Sequence, residues 1–189
     1  MKEELTKHSV VLFQQKGFSE TSIQDIVDSI GVTKGTFYYY FTSKEMLLME
    51  IHERYIDDLL NRQKAILEQI ESYRAKIVGI VKLIIHDLQT QGPNGRIYFR
   101  EMRNLAPENV EKIKKKREAF RLNVEQVLRD GIQAGEFREN LQPKMIAFAI
   151  LGVTNWSYQW FNPSGDVSVQ ELADMYVDFI LNGIISERD

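Results

Sequence analysis

Cysteine is absent from the 189 residues, which excludes a disulfide framework and thiolate zinc sites and fits a reducing, cytoplasmic setting. Proline occurs only four times, each at the edge of an element, and no hairpin signal joins alternating runs. Long apolar stretches are missing too. The longest, residues 145–153, is far too short to span a bilayer, and no secretory signal is read at the start. No membrane association is therefore expected. The histidines at 8, 52 and 86 lack metal-ligand spacing, and each reads as a surface or satisfied core residue. There is no phosphate-cradling glycine loop, nucleophile motif or distinctive carboxylate pair. Catalytic residues, a metal site and a resident cofactor are accordingly not expected, and the enzyme class has no residues to rest on. Positive charge is also scarce. The net charge of −3 speaks against a protein that coats nucleic acid non-specifically, and the first fifty residues, with five lysines against seven Asp and Glu, stand at −2.

What is present is helix. Apolar residues make up 43% of the chain and charged ones 27%, the balance of a globular rather than a disordered protein. The length suffices for a small head fused to a larger body. A first helix is predicted over 2–16, with Leu5, Ser9, Leu12 and Phe13 inward and Gly17 ending it. A long helix opens at Thr42 or Ser43, where Thr42 and Glu45 have capping-box spacing, and keeps Met46, Leu47, Ile51, Tyr55, Leu59, Leu60 and Leu67 in period. The helix over 72–90 is apolar on most sides and belongs in the middle of the body. Gln91-Gly92-Pro93-Asn94-Gly95 reads as a break, followed by a short helix to Leu105 and a longer one that begins at Pro107 and stops at Gly135. Pro143 starts the next helix at a first-turn position, and Ser168 with Glu171 caps the last.

Against this background residues 31–44 stand out. Gly31-Val32-Thr33-Lys34-Gly35-Thr36-Phe37-Tyr38-Tyr39-Tyr40-Phe41-Thr42-Ser43-Lys44 holds two lysines, three consecutive tyrosines and no acidic residue, a local balance of +2. Just upstream, residues 21–30 read as a short amphipathic helix capped by Ser22 or Thr21. Together they form a helix-turn-helix: one helix, a tight turn at Gly31, and a second helix opening near Thr33. In that arrangement the second helix enters the major groove, and its first turn meets base edges and phosphates. Lysine ammonium groups, hydroxyls and N–H groups at a helix start are the donors phosphates need. Successive helical positions lie about 100° apart, so Tyr38, Tyr39 and Tyr40 cannot all share one buried face. The expected DNA affinity is modest, falls with salt and depends on a second copy of the head.

Leu12-Phe13-Gln14-Gln15-Lys16-Gly17-Phe18, Thr21-Ser22-Ile23, Ile26, the run from Gly31 to Phe41, and Ser43-Lys44-Glu45 with Leu47 resemble the TetR family of bacterial transcriptional regulators. The chain departs from the family pattern at His8-Ser9, where small apolar residues are usual, and in an N-terminus almost without a basic arm. The resemblance implies an all-α fold of about nine helices, with a helix-turn-helix domain over 1–46 and a ligand-binding and dimerisation domain over 47–189. Carried over by position, it implies that Thr33, Lys34, Gly35, Thr36, Tyr38, Tyr39 and Tyr40 face DNA. Lys44 would hold a phosphate, and Thr21 or Ser22 would donate to the DNA backbone. Phe37 and Phe41 would seat the reading helix on Leu12, Phe13 and Ile26.

The body carries a second, less specific resemblance. Residues 100–108, the run Gly131-Ile132-Gln133-Ala134-Gly135-Glu136-Phe137, and residues 150–161 are similar to a TetR branch whose members regulate fatty-acid and sterol breakdown in response to acyl-CoA thioesters. An acyl-CoA effector would need phosphate donors, for which Arg103 or Arg117 would serve beside the basic run Lys112, Lys114, Lys115, Lys116, Arg117 and Arg121. It would also need an apolar tunnel, for which Ile84, Phe99, Phe120 and Trp156 are candidates. Each has a plainer alternative: basic runs are usually solvated faces, and Trp156 with Trp160 can be core or dimer seam. The last two helices are apolar enough to pair across a two-fold axis through Ile146, Ile150, Val153, Trp160, Leu172, Tyr176, Phe179 and Ile180. The reading is a homodimeric repressor on a palindromic double-stranded operator, released by a small-molecule effector. Its rivals are a TetR-type regulator of efflux or detoxification answering to an aromatic or cationic compound, and a small-molecule-binding protein that does not bind DNA. Repression and activation are not distinguished by these residues.

Overall fold

The computed structural model describes residues 1–185, and among these it is helical, with nine α-helices and no β-strand beyond a single bridge between Phe137 and Ile185. In chain order the helices are α1 (Lys2–Lys16), α2 (Ile23–Asp28), α3 (Lys34–Tyr40), α4 (Lys44–Gln69), α5 (Tyr73–Thr90), α6 (Gly92–Arg100), α7 (Pro107–Gln133), α8 (Pro143–Trp160) and α9 (Val169–Ile184). A single 3₁₀ turn, Met102–Asn104, precedes α7. The helix boundaries follow local chemistry. Ser22 and Ser168 each accept from the backbone N–H three residues on, while Asp25 and Glu171 reach back to complete two capping boxes. Pro143 opens α8 without a donor to lose, and Gly17 closes α1 at φ 84°.

By compactness the chain divides into two units, residues 1–57 with 92–115, and residues 58–91 with 116–189. They do not coincide with the 1–46 and 47–189 division expected from sequence, because α4 and α7 each contribute residues to both. In the first unit, α1, α2 and α3 pack with the start of α4, and α6 lies against α1. Leu5, Phe13, Ile26, Val27, Phe37, Phe41, Leu47 and Leu48 are buried there, each large side chain contributing about 1.5–3 kcal/mol. Of the expected seat for α3, Leu12 is only half-buried while Phe13 and Ile26 are buried, and α2 is the element packed against α3.

Three expectations in this unit are corrected. The Gly-Pro-rich run after Gln91 is the first turn of α6 rather than a break, since Pro93 sits where a helix needs no N–H. The helix after it ends at Arg100 and tightens into the 3₁₀ turn instead of continuing to Leu105. The capping box between Thr42 and Glu45 does not form either. Ser43 Oγ accepts from the Met46 N–H at 3.0 Å, and Glu45 is employed elsewhere. Its Oε1 accepts from the Ala106 N–H at 3.0 Å and from Asn109 Nδ2 at 2.9 Å, pinning the start of α7 to the start of α4.

In the second unit α5 occupies the centre, packed against α9 and α8. Its Ile77, Ile80, Val81, Ile84, Ile85 and Leu88 are buried, as the apolar composition requires. Asp87 lies among them fully buried, and Arg62 of α4 satisfies it with paired bonds of 2.6 and 2.8 Å. Gln63, also buried, donates to the Phe120 carbonyl at 3.0 Å and accepts from Asn123 at 2.7 Å, tying α4 to α7. Beyond α7, Glu136 accepts from Ser72 Oγ and from the Tyr73 and Arg74 N–H groups, capping α5 from outside its own sequence. No helix among the described residues is long and apolar enough to cross a membrane.

Candidate DNA-reading site

The turn between α2 and α3 is made at Gly31, whose φ of 70° lies in the region L side chains avoid. Thr33 then caps α3, its Oγ1 accepting from the Thr36 N–H at 3.4 Å and lying 3.3 Å from Thr36 Oγ1. From that start the seven-residue helix divides its residues sharply. Phe37 is fully buried and stands 5.7 Å from the ring of buried Phe41, so the helix is rooted in the core by two aromatic side chains. Thr33, Lys34 and Gly35 are exposed, and Thr36 is half-buried beneath its cap. Tyr39 is 81% exposed and Tyr38 54%, with Tyr40 edge-on to Tyr39 at 4.8 Å. Tyr38 and Tyr39 therefore stand open to solvent on a short helix rooted by two phenylalanines.

The α2 start is sorted as clearly. Thr21 is fully buried and donates to the Gly17 carbonyl at 2.8 Å, which removes it as a donor to DNA. Ser22 is exposed at the cap, and the pair of hydrogen bonds it makes with Asp25, helped by Lys16, holds the Asp25 carboxyl at about 2. Lys44 departs from expectation. Its ammonium is turned inward, donating to the carbonyls of Phe18 at 2.6 Å and Thr21 at 2.5 Å and lying 3.4 Å from that of Ser19. It also sits 4.3 Å from the Phe18 ring centroid, and burial pulls its pKa below the usual lysine value while Glu20 and Asp25 oppose the shift. A lysine has three N–H donors, and all three face protein oxygens here.

The residues expected to hold an effector are placed differently from one another. Ile84 and Phe120 are core residues of the second unit. Trp156, in the same unit, is 66% exposed, so it lines no tunnel within this chain. Phe99 and Arg103 belong to the first unit, Phe99 half-buried with its ring edge-on to Tyr98 at 5.3 Å and Arg103 exposed in the 3₁₀ turn. Arg117 is exposed on α7. Arg121, counted in the same basic run, is nearly buried between Glu118 and Glu125 and lies over the Phe148 ring at 4.9 Å. Lys114 pairs with Glu111. The run is therefore partly neutralised within its own helix.

The expected dimer set also splits. Ile150, Leu172 and Ile180 are buried within the chain's own second unit and are not available to a partner, whereas Ile146, Val153 and Tyr176 are half-buried. Tyr176 Oη lies 3.1 Å from Ser157 Oγ of α8. Trp160 and Phe179 are exposed, and sharing their faces are Trp156, weighed above as core or seam, and Met145, Phe148 and Met175, which were overlooked in the sequence. Helical spacing alone could have found this second stripe, since 145, 148, 152 and 156 follow the same period.

Two family models match. The one described as bacterial regulatory proteins of the tetR family covers residues 5–51, and the one described as the tetracyclin repressor-like C-terminal domain covers residues 71–184. A curated relative, the HTH-type transcriptional repressor KstR2 of Rhodococcus jostii (strain RHA1), is 29% identical over 98% of this chain and 92% of its own. The solved ketosteroid transcriptional regulator KstR2 of Mycobacterium tuberculosis superposes with a TM-score of 0.90 at 26% identity, covering 98% of this chain and 95% of the other. The TetR family transcriptional regulator PfmR of Thermus thermophilus gives 0.89 at 28% identity, covering 97% and 99%. A rooted helix-turn-helix with an open aromatic reading helix, matched end to end in these ways, places the chain in the TetR family as a DNA-binding, ligand-responsive transcriptional regulator.

Proposed function

We propose that two copies of this chain bind a palindromic operator as a repressor of lipid or sterol breakdown genes, and that a long-chain acyl-CoA releases them. The observation that carries the DNA half is the sorting of α3, with Phe37 and Phe41 holding it while Thr33, Lys34, Tyr38 and Tyr39 stay open. Ser22, Thr33, Lys34, Gly35, Thr36, Tyr38, Tyr39 and Tyr40 form the DNA-facing set, without Thr21, whose hydroxyl is engaged inside. Two such heads must meet major-groove faces about 34–36 Å apart, or a multiple of one turn. The pairing surface is the open apolar stripe of α8 and α9, Met145, Phe148, Trp156, Trp160, Met175 and Phe179, which a second copy would cover.

For the effector, support comes from the body's resemblance to acyl-CoA-responsive regulators and from its likeness to a ketosteroid regulator. Release is a population shift, and it operates only if the ligand binds the conformer that does not fit the operator more tightly. Replacing Tyr39→Ala is expected to lower operator affinity about tenfold or more while leaving helical content intact, because the side chain is almost fully exposed. Unchanged affinity in a fluorescence-anisotropy titration contradicts this placement. A thermal-shift series of acyl-CoAs of increasing chain length tests the effector, since a ligand of the folded state alone raises its melting temperature. A rise with aromatic cations and none with acyl-CoAs would move the regulator to the detoxification class.

A further inference from the structure

Lys44 stands in the sequence where a phosphate contact is the expectation, yet the geometry gives it other work. Its ammonium gathers the carbonyls of Phe18, Ser19 and Thr21, residues of the α1–α2 connection that lie 23 to 26 positions earlier in the chain. These carbonyls belong to the connection that follows α1, and that of Phe18 also accepts from the Thr21 N–H at 3.3 Å. The ring of Phe18 closes the fourth side, 4.3 Å from the nitrogen. The same connection carries Thr21, bonded back to Gly17, and Ser22, the cap of α2. The helix α2 in turn is what α3 packs against.

We infer that Lys44 is a positioning residue of the reading head: it ties the start of α4 to the α1–α2 connection, fixes α2 and thereby α3, and makes no phosphate contact. Two features of the side chain suit this task. An ammonium presents three donors to oxygens arriving from three directions, whereas a planar guanidinium cannot converge on them in the same way. The ammonium meets the Ser19 and Thr21 carbonyls and reinforces that of Phe18, which also accepts from the Thr21 N–H, while Glu20 and Asp25 favour its charged form. The next residue, Glu45, is bonded to Ala106 and Asn109, so two consecutive side chains at the start of α4 clasp different parts of the first unit.

This inference rests on the DNA-reading proposal, and its test keeps the two apart. The probe is a duplex recovered from a randomised pool by the unaltered protein, with a scrambled duplex as control. Failure of the unaltered protein to enrich any duplex removes the DNA-reading proposal itself. Given enrichment, Lys44→Met is expected to weaken binding to the recovered duplex about tenfold or more, leave binding to the scrambled duplex unchanged, and leave the slope of log K against log salt unchanged. A phosphate contact predicts the opposite. Each lost contact lowers the slope by about 0.9, hence about 1.8 for a symmetric pair, and both duplexes are weakened alike. Lys44→Arg keeps the charge and covers the case in which the methionine variant fails to fold. It is expected to bind the recovered duplex about as poorly as the methionine variant, and full affinity in it overturns the inference. The Lys44 ¹⁵Nζ resonance gives a further readout. It is expected to stay in place when DNA is added, and a DNA-dependent shift, or wild-type affinity in both variants, also overturns it.

Discussion

Single side chains in this protein do what their immediate surroundings dictate, and Gly131 is the plainest case. A Cβ built there would fall 2.3 Å from two ring carbons of Phe137, a fully buried side chain, and 3.0 Å from the Tyr73 Cβ. Gly131→Ala is therefore expected to destabilise the fold by about 1–3 kcal/mol, the usual range for an overpacked core, read from the urea midpoint. Unaltered stability would mean that the ring has room to turn. The run from Gly131 to Phe137 was noted in the sequence, but only the turn that bonds the Glu136 and Phe137 N–H groups to the Gly131 carbonyl brings the ring against the glycine. Other residues were legible only as alternatives. Thr21 and Ser22 are both good caps, and only the fold sends one hydroxyl to Gly17 and the other to Asp25. Lys44 was legible as a cation near the head, but the carbonyls that claim it are remote in the chain.

At the scale of elements, α4 carries a group with a pH signature. His52 is completely buried, its Nδ1 2.9 Å from the Leu48 carbonyl and its ring 5.4 Å from that of Tyr98. Burial is the largest influence and pulls its pKa below 6.5 despite backbone hydrogen bonds and Glu101. The sign follows from linkage. The folded state binds the proton more weakly than the unfolded chain, so the stability is full above pH 6.5 and is lost as pH falls towards the folded-state value. The unfolding free energy is expected to drop as pH falls below 6.5, and His52→Gln to flatten that drop. An identical pH profile in the two proteins, measured by urea titration at several pH values, would falsify this assignment. Helices of this kind were readable from period and caps: α1 and α5 match their expected spans closely, and α8 and α9 their expected starts. The run after Gln91 misled because glycine and proline serve a helix start as readily as a break. The Asp87 carboxylate in the apolar α5 was a signal that a cation must meet it, and Arg62 does.

On the scale of the whole molecule, the proposed pairing surface is the open stripe of α8 and α9. Trp156 is 66% and Phe179 67% exposed, so replacing them with Glu and Asp removes little internal packing. The double variant is expected to sediment as a monomer at micromolar concentration with its helical content retained, and to lose operator binding because one head alone grips weakly. A dimer surviving both changes would relocate the interface. The residues expected there from sequence mix buried and open faces of the two helices. A helix apolar nearly all round, as α8 is, gives no polar side from which to tell core from seam, and only the position of α5 decides that Ile150 and Ile180 point inward. In the reading head the placement of Phe37 inside and of Tyr38 and Tyr39 outside was legible, because three consecutive tyrosines on a helix cannot share one buried face.

Hydroxyl-radical footprinting of the unaltered protein on the recovered duplex addresses the central claim most directly, that α3 is presented to DNA twice by a symmetric pair. The account predicts two equally protected segments, related by a dyad, whose centres lie about 34–36 Å apart or a multiple of one turn, and both segments fade together in the Tyr39→Ala protein. A single protected segment, or a pair that persists undiminished in that variant, would contradict it.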